Sequence, residues 1–149
     1  MNDYQSVEIL LVEDSHADAE MTQRTLKKRG IVNDIAWVKD GVEALDYLRC
    51  EGSFTGRKNG NPRLVLLDLK MPRMDGLQVL KAMREDARTQ WVPVVMMTSS
   101  REEGDLLKSY ALGVNSYIVK PVDFEQFADT VAQVGMYWVL ANQTPAQAR

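Results

Sequence analysis

Short apolar runs alternate with amphipathic stretches along this 149-residue chain, and this alternation constrains its fold more than any other feature. The apolar runs lie at residues 7–12, 35–38, 64–67, 94–97 and 117–119. The first run is apolar at every position from Ile9 to Val12, so both of its faces would be buried, as in a parallel sheet. The stretches at residues 16–29, 42–49, 76–85, 102–112 and 124–140 have helical character, and the one from residue 76 shows a clear 3.6-residue period.

Strict alternation of strands and helices predicts an α/β fold, a doubly wound sheet of five parallel strands flanked by five helices. The length fits a single domain, for which we expect residues 7–141, with residues 1–6 and 142–149 as terminal tails. In such sheets the binding site lies at the carboxyl ends of the strands. Functional residues are therefore expected where the apolar runs end.

Composition excludes several classes of protein. The formal net charge of -3 provides no positive excess for nucleic acid and argues against a membrane-surface role. No apolar run approaches the roughly 20 residues that span a bilayer, and residues 1–5 lack the apolar core of a signal peptide. The single cysteine, Cys50, cannot form an intrachain disulfide. We therefore expect a cytoplasmic protein.

Polar residues with complementary chemistry follow four of the predicted strands. These residues are Glu13 and Asp14 after the first strand, Asp68 after the third, Thr98 after the fourth and Lys120 after the fifth. Each alone is also typical of a helix cap or of solvated surface. The predicted fold brings them together at one edge of the sheet, and it is the combination that indicates a site.

The charges of these residues predict a metal. Two carboxylates about 4 Å apart repel by roughly 4 kcal/mol at an effective dielectric constant near 20. A divalent cation relieves this repulsion, and oxygen ligands favour Mg²⁺. Asp14 and Asp68 are the expected ligands, with Glu13 contributing directly or through water. A carboxylate in such a site can form an aspartyl phosphate, with Lys120 supplying positive charge and Thr98 a hydroxyl to the phosphoryl group.

Four sequence blocks, in this order and spacing, resemble the receiver domain of response regulators in two-component signalling. They are residues 11–14 (LVED), 66–76 (LLDLKMPRMDG), 97–99 (MTS) and 117–121 (YIVKP). The resemblance extends over residues 7–140 and implies the flavodoxin-like receiver fold with strand order 2-1-3-4-5. It also implies a cis peptide bond between Lys120 and Pro121. The residue pattern, independently of the resemblance, indicates that Asp75 caps the helix that follows it.

The resemblance assigns a role to each matching residue. Asp68 is implied as the phosphoacceptor, and the backbone carbonyl of Lys70 as a further Mg²⁺ ligand beside those of the acidic residues. Thr98 and Lys120 are implied to bind the phosphoryl group. Thr98 and Tyr117 are implied as a switch pair, in which the hydroxyl moves onto the phosphoryl group and the aromatic ring turns inward.

Two features narrow the type of receiver. Residues 50–62 form a long polar loop before the third strand. The last predicted helix ends in a segment with apolar residues on all sides, among them Tyr137 and Trp138. Both resemble small single-domain regulators that work with bacterial phytochromes and related histidine kinases. The expected partners are a sensor histidine kinase of this kind and a second copy that binds through the fourth and fifth helices. Tyr137 and Trp138 either form a surface for such a partner or pack inside the domain. Because only residues 142–149 follow, we expect no DNA-binding output domain.

Two other functions compete with a signalling phosphoacceptor. A haloacid-dehalogenase-type phosphatase needs a second aspartate two positions after its nucleophile, and Lys70 occupies that position. A receiver-like module that is not phosphorylated would be expected to lack Asp14, Asp68, Thr98 or Lys120, and all four are present. The sequence therefore favours a protein that accepts a phosphoryl group but is not an enzyme acting on other substrates.

Overall fold

The computed structural model describes residues 8–28, 34–57, 60–99 and 103–133. The strands are β1 (Glu8–Val12), β2 (Asp34–Val38), β3 (Leu64–Asp68), β4 (Val94–Thr98) and β5 (Ser116–Val119). The helices are α1 (His16–Lys28), α2 (Gly41–Arg49), α3 (Gly76–Glu85), α4 (Glu103–Ala111) and α5 (Phe124–Gln133). Within these ranges, none of the helices is long and apolar enough to cross a bilayer.

The strands form one parallel sheet in the order β2-β1-β3-β4-β5, which confirms the predicted topology. Leu10 of β1 lies between Ala36 of β2 and Val65 of β3, so β1 is fully paired on both sides. The direction of winding changes between β1 and β3. A ligand crevice forms at such a switch point, outside the carboxyl ends of the strands.

Both faces of the sheet are buried, as the continuous apolar runs predicted. Leu10 and Val12 face a core shared with α2 and α3, while Ile9 and Leu11 face a core shared with α1 and α5. These four side chains have no solvent exposure. Full burial of one such aliphatic side chain stabilises the fold by roughly 1.5–3 kcal/mol. The helices on both faces therefore follow from strands that are apolar on both sides.

The predicted long loop before β3 is partly folded against α2. Cys50 ends α2 in the left-handed conformation, with φ 57°, and a single 3-10 turn follows at Gly52–Phe54. The Phe54 ring meets the Tyr47 ring edge-on at a centroid distance of 5.1 Å. The Arg57 guanidinium lies 4.0 Å from the centroid of the same Tyr47 ring, a cation–π arrangement. These contacts anchor the loop on the side of the sheet occupied by α2.

Gly76 closes the turn between β3 and α3. Its N–H donates to the Leu69 carbonyl at 2.9 Å. A Cβ atom at this position would lie 2.5 Å from the backbone oxygen of Asp68, so a side chain could not fit without moving the end of β3. Asp75, directly before it, caps α3 by accepting from the Gln78 N–H, and Gln78 bonds back to complete a capping box. The predicted capping role of Asp75 is thereby confirmed.

Arg84 of α3 joins three backbone segments, and its replacement by methionine is expected to lower the free energy of unfolding by about 1–3 kcal/mol. Its guanidinium donates to the carbonyls of Gly113, at 2.8 and 3.0 Å, and of Val92, at 2.8 Å. Urea denaturation measures the change. Lys81→Met, on the exposed face of the same helix, is the control and should change stability by less than about 0.5 kcal/mol. An equally small change for Arg84→Met would contradict this account.

Candidate functional site

The carboxyl ends of the strands meet at one edge of the sheet, as expected. Asp68, the last residue of β3, lies beside Met97, and Thr98, the last residue of β4, lies beside Val119. The Lys120 N–H continues the pairing by donating to the Thr98 carbonyl at 2.9 Å. The peptide bond between Lys120 and Pro121 is cis, as the resemblance implied.

The Lys120 ammonium group is the centre of the site. Its Nζ lies 2.8 Å from Glu13 Oε1, 3.1 Å from Asp18 Oδ2 and 3.4 Å from Asp68 Oδ1. Glu13 and Asp68 are 1% and 3% exposed, so two of these three carboxylates are removed from solvent. Buried charges of like sign require a counter-charge, and Lys120 supplies it.

Burial and charge together raise the pKa of Asp68 to about 8. Loss of solvent is the largest cause, since it disfavours the ionised carboxylate, and the negative charge of Glu13 adds to it. The Lys120 ammonium acts in the opposite direction without cancelling them. The same contacts raise the pKa of Lys120 above its ordinary value: burial lowers it, but Glu13 and Asp68 outweigh that effect. Lys120 is therefore charged at physiological pH. A second cation bound at the site would stabilise the ionised form of Asp68, so the site favours the binding of such a cation.

Glu13, Asp14 and Asp68 together form a cluster whose composition fits a hard divalent cation. One carboxylate oxygen from each of them lies within 4.8 Å of the others. Glu13 Oε1 is buried and accepts no well-directed hydrogen bond, although it is in ionic contact with Lys120, so it retains capacity for a ligand. Asp14 is exposed and leaves the cluster open to solvent. Oxygen donors that keep access to water are typical of Mg²⁺ and Mn²⁺ sites.

Trp37 fixes the backbone of the acidic segment, a function that sequence reasoning missed. Its indole Nε1 donates to the Glu13 carbonyl at 2.8 Å. The Glu13 N–H donates to the Val38 carbonyl at 3.1 Å, and the Ser15 N–H donates to Glu13 Oε2 at the same distance. The Trp37 ring packs against the core beside α1. Nothing in its position along β2 signals the hydrogen bond.

Asp18 is the second site residue that sequence reasoning missed. It lies on the first turn of α1 and contacts Lys120, which is 102 residues away in the chain. A signal was available, because Ser15 and Asp18 match the S-x-x-D pattern of a helix start, which places Asp18 on the first turn. That spacing keeps the side chain near the strand end from which α1 starts.

An ion pair between a nearly buried carboxylate and an exposed guanidinium connects the loops after β2 and β3. Asp40 caps α2 by accepting from the Glu43 N–H at 2.9 Å, and it also pairs with the Arg73 guanidinium. Burial raises the pKa of Asp40, but the Glu43 hydrogen bond and the Arg73 charge outweigh it, so the pKa lies below the usual value. Arg73 adopts the left-handed conformation, with φ 66°, that few residues other than glycine favour. The pair thus holds the loop that follows Asp68.

The remaining predicted site residues are placed as follows. Thr98 is buried at the end of β4, next to the acidic cluster in the sheet order. Tyr117 of β5 is half-buried and packs against the core beside α2 and α3. Lys70 is exposed in the loop after β3. Tyr137 and Trp138, predicted as a partner or dimer surface, lie outside the described residues.

A doubly wound sheet with an acidic cluster and a lysine at its carboxyl edge defines a receiver-type α/β domain. The chain belongs to the family described as Response regulator receiver domain, whose match covers residues 9–132. The family named from the four sequence blocks is therefore confirmed. Proteins of this family act in two-component signalling, so the chain is a signalling protein of that class.

Three relatives show how far the similarity extends. The solved structure of the bacteriophytochrome response regulator AtBRR is 48% identical, with a TM-score of 0.83, over 91% of this chain and 97% of that one. The Mn²⁺-bound form of response regulator Rcp1, a protein of Synechocystis sp., is 34% identical, with a TM-score of 0.74, over 92% of this chain and 96% of that one. The probable methanogenesis regulatory protein FilR2 of Methanothrix harundinacea is 41% identical over 94% of this chain and 88% of that protein.

Proposed function

We propose that this protein accepts a phosphoryl group on Asp68 from the phosphohistidine of a sensor histidine kinase, in a reaction that requires Mg²⁺. The observation that carries the proposal is a nearly buried Asp68 carboxylate that faces both the Lys120 ammonium, at 3.4 Å, and two further carboxylates. A buried carboxylate with a raised pKa and its own fixed cation is typical of a functional site.

The transfer makes one bond and breaks one. An Asp68 carboxylate oxygen attacks phosphorus, and the bond between phosphorus and the donor's nitrogen breaks, so the nitrogen keeps the electron pair. No general base is needed, because the nucleophile is already ionised when the site holds a cation. Lys120 is placed to contact an equatorial phosphoryl oxygen, and Thr98 to donate its hydroxyl to another.

Mg²⁺ is proposed to bind through Asp14, Asp68 and the backbone carbonyl of Lys70, with Glu13 as a direct or water-mediated ligand. When bound, the ion offsets the repulsion among the carboxylates and the incoming phosphoryl oxygens. Support comes from the clustered oxygens and from the Mn²⁺-bound structure of the relative Rcp1. A cation bound at this point would also lower the pKa of Asp68. It would thereby increase the fraction of molecules in which Asp68 is ionised and can attack phosphorus.

The readout is proposed to be a change in protein contacts. Thr98 and Tyr117 form the switch pair, and the surface of α4 and α5 carries the change to a partner or a second copy. The receiver domain is proposed to comprise residues 7–141, with short tails and a cytoplasmic setting. The 48% identity to AtBRR supports a bacteriophytochrome-type kinase as the phosphodonor.

Intact mass after incubation with acetyl phosphate and Mg²⁺ tests the acceptor. Wild type should gain one phosphoryl group, and Asp68→Asn should gain none. Asp75→Asn is the matched control, because asparagine caps a helix as well as aspartate, and it should be modified like wild type. No gain in wild type, or equal gain in Asp68→Asn, would refute the proposal. An autophosphorylated bacteriophytochrome in place of acetyl phosphate tests the class of kinase.

A further inference from the structure

The Lys120 ammonium contacts three carboxylates, and its contact with Asp18 has the geometry of a hydrogen bond. An ammonium group offers three donors and no acceptor, and Glu13, Asp18 and Asp68 lie 2.8, 3.1 and 3.4 Å from it. The longest of the three contacts is the one to Asp68. A phosphoryl oxygen arriving at Asp68 would therefore compete for Lys120 with the carboxylates that it already contacts.

Asp18 is the carboxylate that Lys120 can leave at the lowest cost. Its side chain is 45% exposed, so water replaces the ammonium readily, whereas that of Glu13 is 1% exposed and would be left uncompensated. Asp18 also lies outside the cluster of Glu13, Asp14 and Asp68. Its place is fixed by α1, whose first turn is capped by Ser15 through a 3.2 Å hydrogen bond from the Asp18 N–H.

We propose that Asp18 is a positioning residue that competes with the phosphoryl group for Lys120 and thereby slows phosphorylation of Asp68. The proposal rests on the phosphoacceptor function of Asp68 proposed above. The hydrogen bond to Asp18 holds Lys120 toward α1. As the phosphoryl group arrives, the contact between Lys120 and Asp18 breaks and a contact between Lys120 and a phosphoryl oxygen forms.

An acidic residue on the first turn of a helix also has a simpler role, favourable interaction with the helix dipole. That role concerns the stability of α1 and is independent of Lys120. The two roles separate in a double-mutant cycle, because only the competition disappears when Lys120 is absent.

The test measures the initial rate of phosphorylation by acetyl phosphate with Mg²⁺ at subsaturating donor, read by intact mass. Asp18→Asn should accelerate the reaction about twofold to fivefold. A rate change of this size corresponds to the loss of one half-exposed ion pair. Asp18→Glu keeps the charge and should restore a rate near wild type. Glu20→Gln removes the same charge on the same helix, where Glu20 pairs with Arg24 rather than with Lys120, and should leave the rate unchanged.

The outcomes separate the two proposals. A wild type that takes up no phosphoryl group overturns the phosphoacceptor function itself. A wild type that is modified, with Asp18→Asn no faster or with Glu20→Gln equally accelerated, overturns the competition alone. In a Lys120→Met background kept folded by Mg²⁺, Asp18→Asn should lose its accelerating effect, and a retained effect would also overturn the competition. The Asp18→Glu and Glu20→Gln comparisons decide the matter even if the Lys120 variants do not fold.

Discussion

Replacing Lys120 by methionine is expected to lower the free energy of unfolding by about 3–5 kcal/mol at pH 8 in metal-free buffer. The methionine retains most of the side-chain volume but removes the positive charge and the ammonium donors. Glu13 and Asp68, both nearly buried, would then face each other without the cation that now lies between them. Breaking a buried ion pair on one side leaves the partner's charge uncompensated, which is the reason for the large effect.

The loss should depend on pH and on metal, which distinguishes it from a packing defect. At pH 5 Asp68, whose pKa is raised to about 8, is protonated in the folded state, so the loss should be smaller than at pH 8. Mg²⁺ should restore part of the stability, because it supplies positive charge at the same cluster. Lys108→Met, at an exposed position of α4, is the control. A loss that is equal at pH 5 and pH 8 and is insensitive to Mg²⁺ would contradict the electrostatic account.

Replacing Asp68 by asparagine is expected to stabilise the metal-free protein at pH 8 by about 1–3 kcal/mol. The pKa of Asp68 is raised to about 8 in the folded protein, against an ordinary value of 3.8. Between these values the folded state binds more protons than the unfolded state, so the stability of wild type falls as pH rises from about 4 to 8. Asparagine has the same shape and no charge, so the variant should lack this fall.

Chemical denaturation at several pH values in the presence of a chelator provides the measurement. The raised pKa of Lys120 affects stability only above its ordinary value of 10.5, so it does not disturb this window. Mg²⁺ should stabilise wild type more than Asp68→Asn, because ligand binding to the folded state adds stability and the variant has lost a carboxylate ligand. Parallel pH profiles for wild type and variant would show that Asp68 is not the group responsible.

The sequence predicted the fold well because local pattern and global topology agree in this chain. The continuous apolar run from Ile9 to Val12 already required a strand buried on both faces, and strict alternation required parallel pairing. The cap at Asp75 was likewise predictable, since Asp75 and Gly76 mark the start of α3 by residue type alone. The strand order followed from the family resemblance rather than from the pattern.

Parts of the site could not be predicted because they depend on distance in space. Trp37 is an ordinary apolar strand residue in the sequence, and only the pairing of β2 with β1 brings its indole to the Glu13 carbonyl. Arg73 lies in one of the sequence blocks that carry the family resemblance. Its partner Asp40 lies outside that block, 33 residues earlier in the chain. No periodicity connects residues so far apart.

The sequence by itself determined the strands, the helices and the residue types that follow each strand, because these depend on neighbours in the chain. The carboxyl ends of parallel strands lie at a common edge of the sheet. For this reason the sequence was sufficient to select Asp14, Asp68, Thr98 and Lys120 as site residues. Only the tertiary structure decided how the charges are shared at that edge. It places one ammonium group among Glu13, Asp18 and Asp68, and it buries two of those carboxylates while leaving the third half-exposed. Burial and separation set the strength of an electrostatic interaction, and neither quantity is defined until the chain has folded.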